Sequence, residues 1–338
     1  MTGRATTNPA GDPRFSGDPA ADPADDPFAD PDAVALALSG TGYLPDDALS
    51  TAVFLAARLQ RPLLLEGEAG VGKTALAEAL ALIKGSSLIR LQCYEGIDAS
   101  QALDDWDFPR QVLHLRALQA LRPTDRLDPA ADAPGTTGSA ASDDAGVLAS
   151  VEDELYSERF LLARPILAAL RTPNAVLLID EIDRADDEFE AFLLEVLADF
   201  AVTIPELGRV VAQHPPLVVI TSNRTRELHD ALKRRCLYHW LEHPDLAREV
   251  QILRRRLPGI AEDLAADVAS AVSRLRASAL LKPPGVAESL DWARALDALG
   301  AKRLDVGNGT ATLGAALKYH EDIEQVRTAG AALLTGAG

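Results

Sequence analysis

Only two of the 338 residues are cysteine, Cys93 and Cys236, far apart and without CxxC spacing. That excludes a disulfide framework and predicts a reducing compartment, the cytoplasm. No run of about 18 apolar residues occurs, so no membrane span is expected. The first residues, MTGRATTNPAGDPRF, lack the apolar stretch of a secretory signal. Positive charge is scarce: 33 Lys and Arg face 51 Asp and Glu, a formal net charge of −18. Lys and Arg drive phosphate-backbone binding by displacing counterions, so nucleic acid is not an expected main partner. Aromatic residues make up 5%, yet 47% of the chain is hydrophobic, enough for a buried core.

Two segments stand apart in composition. Residues 1–32 hold six prolines and seven aspartates, and read as a disordered acidic tail. Residues at about 123–149 (PTDRLDPAADAPGTTGSAASDDAGVLA) share that character and read as a flexible insertion. Between and beyond them, apolar runs at Pro62–Glu66, Leu88–Gln92, Ala175–Asp180, Leu217–Thr221 and Leu237–Leu241 read as strands. Helical periodicity at Thr74–Ile83, Ser157–Leu170 and Glu188–Phe200 alternates with them. This predicts a doubly wound α/β fold with a five-stranded parallel sheet over residues 33–243. From Pro244 the strand signals stop, and helices at about 246–257, 262–280, 286–299 and 310–328 predict a small all-helical unit over 244–338.

The run Gly67-Glu68-Ala69-Gly70-Val71-Gly72-Lys73-Thr74 fits G-x-x-x-x-G-K-[ST] between a predicted strand and a predicted helix. Glycines let backbone N–H groups turn inward as an anion nest, and the helix N-terminus adds its positive dipole. Lys73 reaches the β and γ phosphates of a nucleotide, and the Thr74 hydroxyl suits Mg²⁺. Asp180, ending the apolar run Val176–Ile179, is placed to hold Mg²⁺ through water, and Glu181 to polarise an attacking water. Asp183, Asp186 and Asp187 read more simply as an acidic helix start. Asn223, after the next strand, is a candidate to orient the water, although an Asn there is commonly a turn former. Lys233-Arg234-Arg235 offers a guanidinium for transition-state charge, against the plainer reading of a solvated turn.

The set GEAGVGKT, VLLIDEID, TSN and LKRR, followed by helices, resembles the AAA+ ATPases, and within them the MoxR branch. Asp105–Leu115 and Val202–Val211 stand where that branch has a small insertion and a β-hairpin. LIRLQCYEGIDASQAL, ERFLLARPIL, DEFEAFLLEVLADF, TSNRTRELHDALKRRCLYHW and KPPGVAESLDWARAL are similar to the CoxD-type subgroup. The resemblance covers roughly residues 34–122 and 150–300. It implies ATP and Mg²⁺ as cofactors, Gly67–Thr74 as Walker A, Asp180 and Glu181 as Walker B, and Asn223 as sensor 1. It implies Arg234, with Arg235 as second choice, as an arginine finger acting on a neighbouring subunit, hence a ring, usually a hexamer. A sensor 2 arginine is expected near Ala287, where this chain departs from the pattern; Arg294 lies on the same helix. The resemblance further implies a chaperone that works with a von Willebrand factor A domain partner in maturing a molybdenum- or other metal-containing enzyme. A nucleic-acid motor and a nucleotide-gated scaffold with weak hydrolysis are the competing classes.

Other signals are discounted. His239-Trp240-Leu241-Glu242-His243 matches the H-x-x-E-H zinc pattern but lies on a predicted strand, where alternation scatters the two imidazoles. Cys93 and Cys236 read as small apolar residues at strand ends. Tyr43 is expected either beside an adenine ring or in the core.

Overall fold

The computed structural model describes residues 26–121 and 154–336. Two helices open it, α1 (Pro31–Gly40) and α2 (Asp47–Leu59), followed by β1 (Leu63–Gly67), α3 (Lys73–Ile83) and β2 (Leu88–Gln92). Next come α4 (Ala99–Leu103), β3 (Asp104–Trp106), α5 (Phe108–Leu121), β4 (Leu161–Ala163), α6 (Pro165–Arg171) and β5 (Val176–Asp180). The α/β part closes with α7 (Asp187–Asp199), the hairpin β6 (Ala201–Ile204) and β7 (Gly208–Val211), then β8 (Leu217–Ser222), α8 (Asp230–Arg235) and β9 (Leu237–Leu241). Helices alone follow: α9 (Leu246–Arg256), α10 (Glu262–Ala277), α11 (Val286–Ala298), α12 (Val306–Ala316), α13 (His320–Ala329) and α14 (Ala331–Leu334).

Five strands form a parallel sheet in the order β2-β5-β8-β1-β9. Strand alternation explains why its central runs are apolar throughout. Leu63 and Leu65, Val176 and Leu178, and Leu217 and Val219 point to the side packed by Val34 and Leu38 of α1, Leu49 and Val53 of α2 and Leu76 of α3. Leu64, Leu177, Ile179, Val218 and Ile220 point to the other side, against Ile166 and Leu167 of α6 and Phe189 and Leu193 of α7. Cys93 and Cys236 are buried free thiols on that second side. The last six helices have a core of their own around Trp292, whose indole N–H donates to Thr312 Oγ1 at 2.7 Å. Among the described residues no helix is long and apolar enough to cross a membrane.

Three sequence expectations need correction. The helix expected over Ser157–Leu170 is instead a short 3-10 turn, then β4 paired antiparallel with β3, then α6. Pro165 explains the break: it holds Arg164 extended (φ −79°, ψ 174°) and takes the first helical position itself. The single helix expected over 310–328 is two, because Leu317 leaves the helix at φ −117°, ψ 142° to reach the helical core. The earlier start of α12 follows from Asp305, whose carboxylate accepts from Asn308 N–H at 2.9 Å. Residues 26–32, expected to belong to the tail, fold: Asp30 caps α1 with Pro31 in its first turn, and Phe28 packs against the sheet core. The rest of the tail, residues 1–25, and the expected insertion at about 123–149 lie outside the described residues.

Candidate functional site

The glycine-rich loop leaves β1 at Gly67, where a Cβ would stand 2.4 Å from the Leu241 carbonyl oxygen. Only a residue without a side chain fits between the two adjacent strands there. Gly70 (φ 80°) and Gly72 (φ 103°) then take left-handed conformations that glycine adopts without penalty. Lys73 opens α3 and is buried under the loop, its Nζ donating to Gly67 O at 2.8 Å and Glu68 O at 2.7 Å. Burial pulls the Lys73 ammonium below its ordinary pKa, while Asp183, Asp180, Glu181 and Glu66 pull it back up. Glu68 itself faces outward, its Oε2 2.9 Å from His243 Nε2. Ala69, Gly70 and Val71 line the cavity that the loop borders.

Across from the loop, β5 ends in the buried Asp180. Thr221 Oγ1 donates to Asp180 Oδ1 at 2.5 Å, and Thr74 Oγ1 lies 3.3 and 3.4 Å from the two carboxylate oxygens. Glu181 stands in the left-handed region (φ 56°), held there by its N–H donating to Thr221 Oγ1 at 2.9 Å. Asn223 Nδ2 donates to Glu181 Oε1 at 3.3 Å, Gln92 Nε2 to Oε2 at 3.1 Å, and Arg184 Nε sits 2.9 Å from Oε2. Asp183, expected to be an ordinary helix start, is instead buried and anchors the next turn by accepting from Thr225 N–H at 2.9 Å and Thr225 Oγ1 at 2.7 Å.

Two residues of the edge strand β2 were not singled out by sequence reasoning. Arg90 Nη2 lies 2.5 Å from Asp180 Oδ2 and donates to Gln92 Oε1 at 2.7 Å. One guanidinium thus links the partners of Asp180 and Glu181. Their only sequence signal is the polar pair two residues apart in LIRLQ, which places both on one strand face.

Lys73, Thr74, Asp180, Glu181 and Asn223 meet in one cavity of about 910 Å³ between the sheet and the helical unit. Tyr43 belongs to the core, one of the two readings the sequence left open, and it also lines this cavity. Ala287 and Arg294 of α11 also line it, with Arg294 Nη1 3.1 Å from Asp291 Oδ1. Arg234 is not brought to this cavity; it is exposed at the end of α8, whose last carbonyls at Arg234, Arg235 and Cys236 are tied down by Arg61. Arg235 instead donates to Leu194 O at 2.5 Å. His239 and His243 do not converge: His243 bonds Glu68, and His239 Nε2 is buried with no hydrogen-bond partner.

The Thr74 hydroxyl and Asp180 carboxylate are hard oxygen donors, which suits Mg²⁺, an ion that takes one or two protein ligands and leaves its other positions to water and phosphate. Among the described residues no group of three or more His, Cys, Asp or Glu is placed to hold a metal by itself.

Comparison with known proteins gives partial matches to two of them. Midasin of Giardia intestinalis is 50% identical over 56 residues, which are 17% of this chain and 1% of Midasin. A mutant RuvB of Thermotoga maritima is 17% identical, with a TM-score of 0.43, over 79% of this chain and 66% of its own. The Thermotoga maritima RuvB Holliday junction branch migration motor is also 17% identical, with a TM-score of 0.42, over 84% of this chain and 70% of its own. This chain therefore spans a very small part of Midasin and slightly under two thirds of the first RuvB structure. The family model for the AAA domain of the dynein-related subfamily matches residues 62–236, just over half of the chain and four of the five strands of the parallel sheet, ending at the residue before β9, and the protein belongs to that AAA family.

Proposed function

We propose that the protein binds Mg²⁺·ATP in the cavity between sheet and helices and hydrolyses it to ADP and phosphate. The observation that carries this reading is the convergence of Lys73, Thr74, Asp180, Glu181 and Asn223 on that cavity. Gly67–Thr74 wrap the phosphates with backbone N–H groups, and Lys73 exchanges its two loop carbonyls for phosphate oxygens. Thr74 and, through water, Asp180 hold Mg²⁺, which neutralises charge on the β and γ phosphates. Glu181 accepts the proton of the attacking water and Asn223 orients that water, the two already being in hydrogen-bond contact.

In this reading residues 33–243 are the ATPase core and 244–338 a lid. Arg234, exposed and away from its own chain's cavity, acts on the nucleotide of a neighbouring subunit in a ring, six subunits being the expected number. Arg294 stands for the sensor 2 arginine that Ala287 does not supply. The MoxR and CoxD-like motifs support a cytoplasmic chaperone that remodels a metalloenzyme client with a von Willebrand factor A domain partner.

The test is Glu181→Gln. ATP binding is expected to persist while turnover falls by about 10²–10⁴-fold, the usual scale of a lost general base. Equal rates in the two proteins would overturn the hydrolytic mechanism. Expressed in the native host, the same variant is expected to co-purify with the von Willebrand factor A protein and a metalloenzyme. Nucleic-acid enzymes in their place would overturn the maturation role.

A further inference from the structure

A polar network is buried inside the helical unit, behind the cavity rather than on its wall. Arg276, near the end of α10, is its centre, with a side chain only 12% exposed. The guanidinium pairs with both carboxylate oxygens of the buried Glu249 of α9, Nη2 donating to Oε1 at 3.0 Å. Its Nε donates to Pro284 O at 2.8 Å. The fully buried Ser289 of α11 donates from Oγ to Glu249 Oε1 at 2.6 Å, and its N–H donates to Gly285 O at 3.0 Å. Glu288 Oε2 accepts from Gly285 N–H at 3.1 Å.

An ion pair is seldom the most stable filling for a core, since apolar residues of equal volume do as well or better. What a planar guanidinium supplies is direction, because it holds several acceptors in one fixed geometry. Here the acceptors lie on α9 and on the segment that leads into α11, and in that segment Val286 N–H donates to Gly70 O at 2.9 Å. Gly70 O and Val71 N–H belong to one planar trans peptide and point in opposite directions. With its carbonyl held by α11, that peptide turns the Val71 N–H away from the helical unit. Gly70 and Val71 both line the cavity.

We infer that Arg276, Glu249 and Ser289 are positioning residues for the phosphates. By fixing the turn at 284–286 they set the Gly70–Val71 peptide so that Val71 N–H donates to a phosphate oxygen. This rests on the nucleotide-binding reading above. None of the three residues lines the cavity; they act through Val286 and Gly70.

The test separates this route from general weakening of the helical unit. Full-length protein is titrated with Mg²⁺·ADP by calorimetry, and the Val71 amide is followed by NMR in valine-labelled protein. Ser289→Ala removes one hydroxyl, and Arg276→Lys keeps the charge but cannot hold Glu249 and Pro284 O together. Both are expected to move the Val71 resonance before nucleotide is added and to weaken ADP roughly tenfold, the scale of one lost hydrogen bond. Val326→Ala truncates a core side chain of the same unit that takes no part in the network. It is expected to lower the thermal midpoint and leave both readouts unchanged. An unmoved Val71 resonance and an unchanged ADP affinity in Ser289→Ala and Arg276→Lys, or equal changes in Val326→Ala, would overturn the positioning role while leaving nucleotide binding in place. Failure of the unsubstituted protein to bind ADP would overturn both.

Discussion

The backbone N–H of Val286 donates to the carbonyl of Gly70 at 2.9 Å, joining the first turn of α11 directly to the glycine-rich loop. The contact is tight enough that a Cβ on Gly285 would stand 2.8 Å from Gly70 Cα and 3.0 Å from Ala69 O, both backbone atoms. The helical unit therefore senses the shape of the loop through main chain rather than through long side chains.

Gly285→Ala is accordingly expected to push α11 off the loop. Overpacking at such a contact costs about 1–3 kcal/mol. A lower thermal midpoint and a several-fold weaker affinity for ADP should be seen together by calorimetry. An unchanged midpoint and affinity would mean that the contact is loose in solution.

Arg90 neutralises the buried Asp180 carboxylate across 2.5 Å. Removing one partner of a fully buried pair costs several kcal/mol, but Arg90 is half-exposed, at 51%, so a loss of about 1–2 kcal/mol is expected for Arg90→Met. The deficit should shrink when Mg²⁺ and ADP are added, because a metal cation then supplies the missing charge. Urea denaturation with and without Mg²⁺·ADP measures both quantities; a deficit that Mg²⁺·ADP does not reduce would count against Asp180 as a metal-binding carboxylate.

Asp183 links stability to pH. Burial alone would raise its pKa, but hydrogen bonds from the Thr225 hydroxyl and the N–H groups of Thr225 and Asn223 outweigh it and hold the carboxyl below its ordinary 3.8. A folded-state pKa below the unfolded one contributes stability above the unfolded value, and that contribution is lost as pH falls through the folded value. Asp183→Asn is therefore expected to be less stable at pH 7 by about 1–3 kcal/mol, the usual cost of a disrupted buried hydrogen-bond set. The gap should close as the pH is taken below 3.8. Denaturation curves that stay equally far apart at both pH values would sink this account.

How much was legible in the sequence depended on the range of the interactions involved. The β1–loop–α3 unit was readable because its glycines, its lysine and its helix start lie within one short segment. Asp180 and Glu181 were readable because an apolar run ending in two acids is a local pattern, whereas the hairpin of β6 and β7 was expected only from the family resemblance. Leu161–Ala163 looked helical because its periodicity ran on into α6; its pairing with Asp104–Trp106, more than fifty residues away, cannot be read from spacing. The tail was given too long a reach because its Asp-Pro-rich composition conceals a cap and a first turn at Asp30 and Pro31.

The sequence by itself marked which residues are candidates for phosphate and metal chemistry and which strands are covered on both faces, since backbone torsion preferences and strand alternation act over a few residues. Only the tertiary structure decided that β2 lies beside β5, bringing Arg90 and Gln92 to Asp180 and Glu181, and that Thr221 bridges the two acids. It alone also set His239 on the cavity wall, and Gly285 against Gly70. Those placements follow from strand order and from packing a separate helical core against the sheet. They depend on the combined burial of surfaces distant in sequence, and no local pattern encodes which surfaces meet.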